Sequence, residues 1–281
     1  MGLKKFRQGK GGNNMSIMCC LYVPEGIVMA ADSRLTRTKP TKTVPLLKKE
    51  GEPEKILQYE TTYTLSDNAQ KVLYIKKTKT GVSFCGGAMI NDVTVADFIR
   101  KFEIEKVCEG DSTEDVANKL ADYYPGGSTH FFVCGYNDDI PYVFDIINKK
   151  VIRQNISNII IKNEVNDAAA GEEVQIDTEI PENVKSESKK DIDKTVIDYG
   201  ALWAGQKTAI TKIVNNKPIL NADWKTMPLK DAIDFSEFLV DATIKYERFC
   251  DDIQTCGGDI DILVITKDDV FWKQHKIFNP R

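Results

Sequence analysis

Short apolar runs broken by turn residues fill much of the chain, and they predict strands. Ile17–Val23 and Ile27–Ala31 are almost wholly apolar and flank Pro24-Glu25-Gly26, the pattern of two buried strands in a tight hairpin. Thr61–Leu65, residues 71–75 and residues 82–85 predict three more strands, the last running into Gly86-Gly87-Ala88. The period then changes. Across Ile90–Val107, the residues Val93, Ala96, Phe98, Ile99 and Phe102 fall on one helical face, with Asn91 or Asp92 as the cap. Ser112-Thr113-Glu114-Asp115 is a capping sequence opening a second helix, which carries Val116, Leu120 and Tyr123 and ends at Pro125-Gly126-Gly127.

Strands return at residues 130–135 and 142–147, either side of Asn137-Asp138-Asp139. The apolar stretch Val196–Gly205 leads into a short helix ending at Val214. Leu229–Cys250 is the longest helical pattern, with Ala232, Phe235, Phe238, Leu239, Ala242 and Ile244 as its apolar face. The chain closes on a hairpin, Ile260–Thr266 and Val270–Trp272 about a Lys267-Asp268-Asp269 turn. Strands in hairpins alternating with pairs of helices predict a layered α+β fold and argue against a parallel nucleotide-binding sheet. Two polar segments interrupt this order, near residues 36–59 and 155–194, and read as insertions in a single domain spanning residues 16–281.

Residues 1–15 have no apolar period and no hydrophobic signal core. Lys10-Gly11-Gly12 can be encoded by a purine-rich run similar to a bacterial ribosome-binding site, just ahead of Met15. The expectation is therefore a non-native leader or propeptide, with Ser16 exposed as the mature N-terminus.

Composition narrows the chemistry. A net charge of −4 argues against a nucleic-acid binder, and no apolar run is long enough for a membrane span. Seven scattered cysteines, mostly in apolar strands, fit reduced thiols in the cytoplasm better than a disulfide framework. With two histidines in the whole chain, neither a histidine-based metal site nor a Ser-His-Asp triad is supported, and no cofactor motif is present. Any nucleophile here needs a base other than imidazole. Asp32-Ser33-Arg34 follows a core strand directly, and charges at such a position need partners if buried. A strand ending at a solvated turn is the alternative.

Five motifs, in order, resemble the proteasome-like branch of the N-terminal nucleophile (Ntn) hydrolases, and bacterial proteasome β-type subunits in particular. They are GIVMAADSR at residues 26–34, Lys71 with its apolar strand and FCGGA at 84–88, FFVCGYNDDIPYVFDI at 131–146, YGALWAGQ at 199–206, and CGGDIDILVIT at 256–266. The resemblance implies a four-layer αββα sandwich, a hydrolase acting on peptide or amide substrates, and a homo-oligomeric, ring-like assembly. In that family the nucleophile opens the mature chain, sixteen positions before the Asp of the ADSR-like motif, which here is Ser16. The resemblance also implies that Lys71 sits beside the hydroxyl, that Asp32 holds Lys71, and that the Gly86 N–H stabilises the oxyanion. A free α-amine titrates at about 7.7–8.0, so it can take the hydroxyl proton at neutral pH.

Arg34, Asp252 and Cys256 are the expected supporting residues. Two departures stand out. Ala204 occupies one position where the family carries a supporting serine and Cys256 another, while Asp252 is one place from where the supporting aspartate is expected. They leave open a catalytically inactive assembly or binding subunit, in which Lys71 and Asp32 form only a buried ion pair. Cys19 and Cys256 lack an evident base and are weaker candidates for the nucleophile.

Overall fold

A computed structural model describes residues 16–45, 56–161, 192–214, 222–251 and 253–276. The expected leader and Asp252 lie outside the described residues. Two compact units emerge, one of residues 1–155 and 199–281, the other Ile156–Asp198.

The first strands are β1 (Ile17–Val23) and β2 (Gly26–Ala31), joined in the expected hairpin with Met18 opposite Ala31. Next come β3 (Leu35–Pro45) and β4 (Ile56–Ser66), which pair antiparallel as a two-stranded ribbon. Most of the described part of the insertion expected near residues 36–59 is thus strand. Threonines pair across the ribbon, with Thr36 opposite Thr64 and the Thr38 and Thr62 hydroxyls 2.7 Å apart, and Tyr63 lies opposite Arg37. Such β-branched pairs hold a ribbon that charge-rich composition alone does not suggest.

The chain continues through β5 (Val72–Ile75), β6 (Thr80–Cys85) and the two-residue strands β7 (Met89–Ile90) and β8 (Val93–Thr94). Helix α1 is Val95–Lys106, capped by the Thr94 hydroxyl. Asn91 and Asp92 have positive φ and form the preceding turn instead of the cap, and Val93 is exposed. Helix α2 (Thr113–Tyr123) opens with a capping box between Ser112 and Asp115. Then follow β9 (His130–Asn137), β10 (Ile140–Ile147) and β11 (Lys150–Arg153).

The unit Ile156–Asp198 contains β12 (Ile156–Ile161) paired antiparallel with β13 (Ile192–Ile197). The stretch read as one run from Val196 is thus divided between β13 and β14 (Gly200–Gly205). Helices α3 (Thr208–Val214) and α4 (Leu229–Arg248) precede the closing hairpin of β15 (Asp261–Ile265) and β16 (Val270–Gln274).

Two five-stranded antiparallel sheets organise the larger unit, in the orders β14-β1-β2-β15-β16 and β11-β10-β9-β6-β5. The period of two along β1 divides its side chains. Ile17, Cys19, Leu21 and Val23 join a core with residues of α3 and α4, whereas Met18, Cys20 and Tyr22 join Val72, Cys85, Phe132 and Cys134 of the other sheet. That second sheet sends Phe84, Phe131, Val133 and Phe144 to a third core with α1 and α2. β1 and β2 are buried on both faces, which explains their unbroken apolar sequence.

Helix α4 differs from its sequence pattern. Its buried residues are Ala232, Ile233, Ser236, Leu239, Val240, Thr243 and Glu247, while Phe238 is exposed. Ser236 and Thr243 tolerate burial because their hydroxyls donate to the Ile233 and Leu239 carbonyls within the helix. No described helix is long and apolar enough to cross a membrane.

Candidate active site

Ser16 immediately precedes β1, Asp32 follows β2, and Lys71 precedes β5, so the hairpin and the second sheet bring the three together. Lys71 Nζ donates to Ser16 Oγ at 2.6 Å and to Asp32 Oδ1 at 2.7 Å. All three residues are buried, Asp32 completely and Lys71 to within 1%. Ser16 has φ of +82°, a backbone conformation that costs a side-chain-bearing residue about 1–3 kcal/mol and clusters at functional sites.

Asp32 is held on every side. Oδ1 also accepts from Ile17 N–H at 3.0 Å, and Oδ2 accepts from Arg34 N–H at 3.1 Å and Gly257 N–H at 2.9 Å. Three amides and one ammonium satisfy a carboxylate that would otherwise be costly to bury. The expected Asp32–Lys71 pairing is present in the structure.

Arg34 contributes its backbone amide to Asp32, and its guanidinium binds elsewhere. That group grips Asp67 through Nε at 2.6 Å and Nη2 at 3.0 Å. This hydrogen-bonded guanidinium holds the Asp67 carboxyl below its ordinary pKa. The same guanidinium lies against Gly257, where a Cβ would come within 2.7 Å of it. Arg34 therefore backs the loop that supplies an amide to Asp32.

Gly86 lies at the end of β6, one residue beyond Cys85, and Phe84 N–H donates to the Lys71 carbonyl at 3.0 Å. With φ of +95° and a hypothetical Cβ 2.2 Å from the Ser128 carbonyl oxygen, Gly86 accepts no side chain. Gly205 is equally constrained: its φ is +94° and a Cβ would fall 2.1 Å from the Ser16 carbonyl oxygen. That carbonyl accepts from Gln206 N–H at 2.7 Å. A cavity of about 310 Å³ is lined by Leu35, Ala69, Gln70, Phe84, Ala88 and Arg100 among others, and none of Ser16, Asp32, Lys71 and Gly86 lines it.

Ala204 is buried and offers no hydroxyl. Cys256 is buried, with its N–H directed to Glu247. Burial, reinforced by the nearby Asp32 and Glu247 carboxylates, pushes the Cys256 thiol well above its ordinary pKa, and burial raises Cys19 likewise. Neither thiol is disposed to ionise as a nucleophile.

Three partners of the site are absent from the sequence reading. Gly257 supplies an amide to Asp32, and Glu247 anchors the neighbouring residues. Behind the site, Lys276 Nζ meets the fully buried Asp261 at 2.6 Å, the Ala69 carbonyl at 3.0 Å and the Ser33 hydroxyl. Glu247 carried no clear signal, since the face it shares with buried positions 232, 236, 240 and 243 is not the apolar face that the sequence pattern predicts. Gly257 and Lys276 carried none, because their partners are distant in sequence. Among the described residues, no group of three or more His, Cys, Asp and Glu is arranged to hold a metal ion.

Neither the protein-family models nor the curated proteins compared with the chain match it.

Proposed function

We propose that the chain is an N-terminal-serine amidohydrolase of the proteasome-like kind, acting on peptide or amide bonds. The observation that carries this reading is Lys71 Nζ bridging Ser16 Oγ and Asp32 Oδ1 in a buried setting. The two antiparallel sheets, each with a helical core on its outer face, support the αββα sandwich that belongs to this reading. On the same reading the protein works as a cytoplasmic homo-oligomer and needs no cofactor.

The reaction begins when the α-amine of Ser16, freed as the N-terminus, accepts the proton of its own hydroxyl, directly or through water. Lys71 favours the developing negative charge on Oγ, and Asp32 keeps Lys71 aimed at it. Oγ adds to the substrate carbonyl, with the Gly86 N–H as oxyanion donor. Collapse expels the amine, which takes a proton from the Ser16 ammonium and leaves an ester on Oγ. Water, activated by the same α-amine, then hydrolyses the ester.

The test uses protein whose first residue is Ser16, treated with a peptide epoxyketone. Ring closure of that reagent consumes both a hydroxyl and an α-amine on the same residue. A single adduct mapped to Ser16 is expected, and none after Ser16→Ala. Absence of an adduct on the folded chain would overturn the hydrolase reading and favour a silent assembly subunit.

A further inference from the structure

We infer that Glu247 is a positioning residue for the Ser16 centre: its carboxylate ties together the two loops that hold Ser16 and Asp32. The catalytic consequence rests on the function proposed above; the tie itself does not.

Glu247 lies in the last turn of α4 and is 5% exposed. Oε1 accepts from Gln206 Nε2 at 2.9 Å and Thr255 Oγ1 at 2.8 Å. Oε2 accepts from Thr255 N–H at 2.8 Å and Cys256 N–H at 2.6 Å. Four donors match the four lone-pair sites of a carboxylate. A helix position that served packing alone would be filled more favourably by an apolar residue, because burying a carboxylate is costly even when fully bonded.

All four donors come from two short segments, and both segments reach the candidate site. Gln206 gives its side chain to Glu247 and its backbone N–H to the Ser16 carbonyl at 2.7 Å. Cys256 gives its N–H to Glu247, and the next residue, Gly257, donates to Asp32 Oδ2 at 2.9 Å and accepts from Ser33 N–H at 2.8 Å. Releasing the carboxylate frees both segments at once. Ser16 loses its restraint from one side and Asp32 from the other, so the Ser16–Lys71–Asp32 alignment loosens without loss of any group that touches it.

The test compares the chain beginning at Ser16 with its Glu247→Ala and Glu247→Gln variants. Residue-resolved hydrogen exchange follows the Gln206 and Gly257 amides, which bond to Ser16 and Asp32 and not to Glu247. Epoxyketone labelling is resolved into its maximal rate and its half-saturating concentration. For Glu247→Ala, faster exchange at both amides is expected. The maximal labelling rate should fall about 10- to 100-fold at an unchanged half-saturating concentration, as for misalignment of a reacting group. Glu247→Gln retains one acceptor oxygen and should fall between parent and Ala variant; being isosteric, it carries the test if the Ala variant does not fold. Parental exchange at the two amides, or parental labelling, in a folded variant overturns the inference. If the parent takes no adduct, the proposed function fails, and exchange at the two amides alone decides whether Glu247 ties the loops.

Discussion

The Lys71 ammonium lies 2.6 Å from the Ser16 hydroxyl, although fifty-five positions separate the two residues in the chain. The same nitrogen is 2.7 Å from Asp32, which closes a three-residue cluster with almost no solvent access. Removing either oxygen or the nitrogen has different consequences for stability and for chemistry.

Ser16→Ala deletes a neutral acceptor and leaves the Lys71–Asp32 pair intact. The expected change in unfolding free energy is within about 1 kcal/mol, the worth of a single hydrogen bond. Hydrolysis and epoxyketone labelling should vanish. Urea denaturation beside the labelling assay checks both.

Lys71→Met is a harsher change, because it strands the buried Asp32 carboxylate. Breaking a buried pair in this way costs about 3–5 kcal/mol, and the three amides on Asp32 place the expectation at the lower end. Adding Asp32→Asn should recover part of the stability and none of the activity. A double variant no more stable than Lys71→Met would refute the stranded-charge account.

Gly205→Ala and Gly110→Ala separate conformation from close approach. Both glycines have positive φ, +94° and +91°, yet a Cβ at Gly110 meets nothing within 4 Å whereas one at Gly205 meets the Ser16 carbonyl oxygen at 2.1 Å. Gly110→Ala should cost about 1–2 kcal/mol for left-handed backbone alone. Gly205→Ala should cost more, and should also slow labelling of Ser16. Equal penalties in thermal or urea unfolding would mean that the Ser16 backbone yields freely.

Cysteine accessibility tests the unreactive-thiol assignment. Cys108 and Cys250 are exposed, while Cys19, Cys20, Cys85, Cys134 and Cys256 are buried. Iodoacetamide should therefore add two groups to the native chain near neutral pH and seven in denaturant. Burial pushes the Cys85 thiol from 9.0 to about 12. Above the unfolded value the unfolded chain has released that proton and the native chain has not, so stability falls as pH rises from 9.0 towards about 12. Cys85→Ser should make that alkaline decline shallower.

At the acid end, the Arg34–Asp67 pair gives the opposite sign. Arg34 holds Asp67 below its ordinary 3.8, so its contribution is fully present above that value and is lost as pH falls through the folded value. Solvent screening at the half-exposed Asp67 keeps the effect small. Arg34→Met should flatten the acid limb of urea midpoints measured between about pH 5 and pH 2. An acid limb as steep as the parent's would discount the pair.

Local sequence determined a good deal here. The all-apolar runs of β1 and β2, the capping box at Ser112 and the glycines after β6 each declare their structure within a few residues, because strand burial, helix caps and turns are short-range physics. Asp32 was legible as a charge at the end of a core strand, which burial obliges to find partners, and Lys71 only through the resemblance of its motif. The ribbon of β3 and β4 was not, since its stability lies in cross-strand pairs between segments about twenty-five residues apart, as with Thr38 and Thr62. Nor was the buried face of α4, where Ser236 and Thr243 hide their hydroxyls in the helix's own hydrogen bonds. Only the tertiary structure brought Gly257 to Asp32 and Glu247 to Gln206, contacts across 225 and 41 positions. The sequence names the charges that must be paired; the stacking of the sheets and the closing loops decide which donors satisfy them.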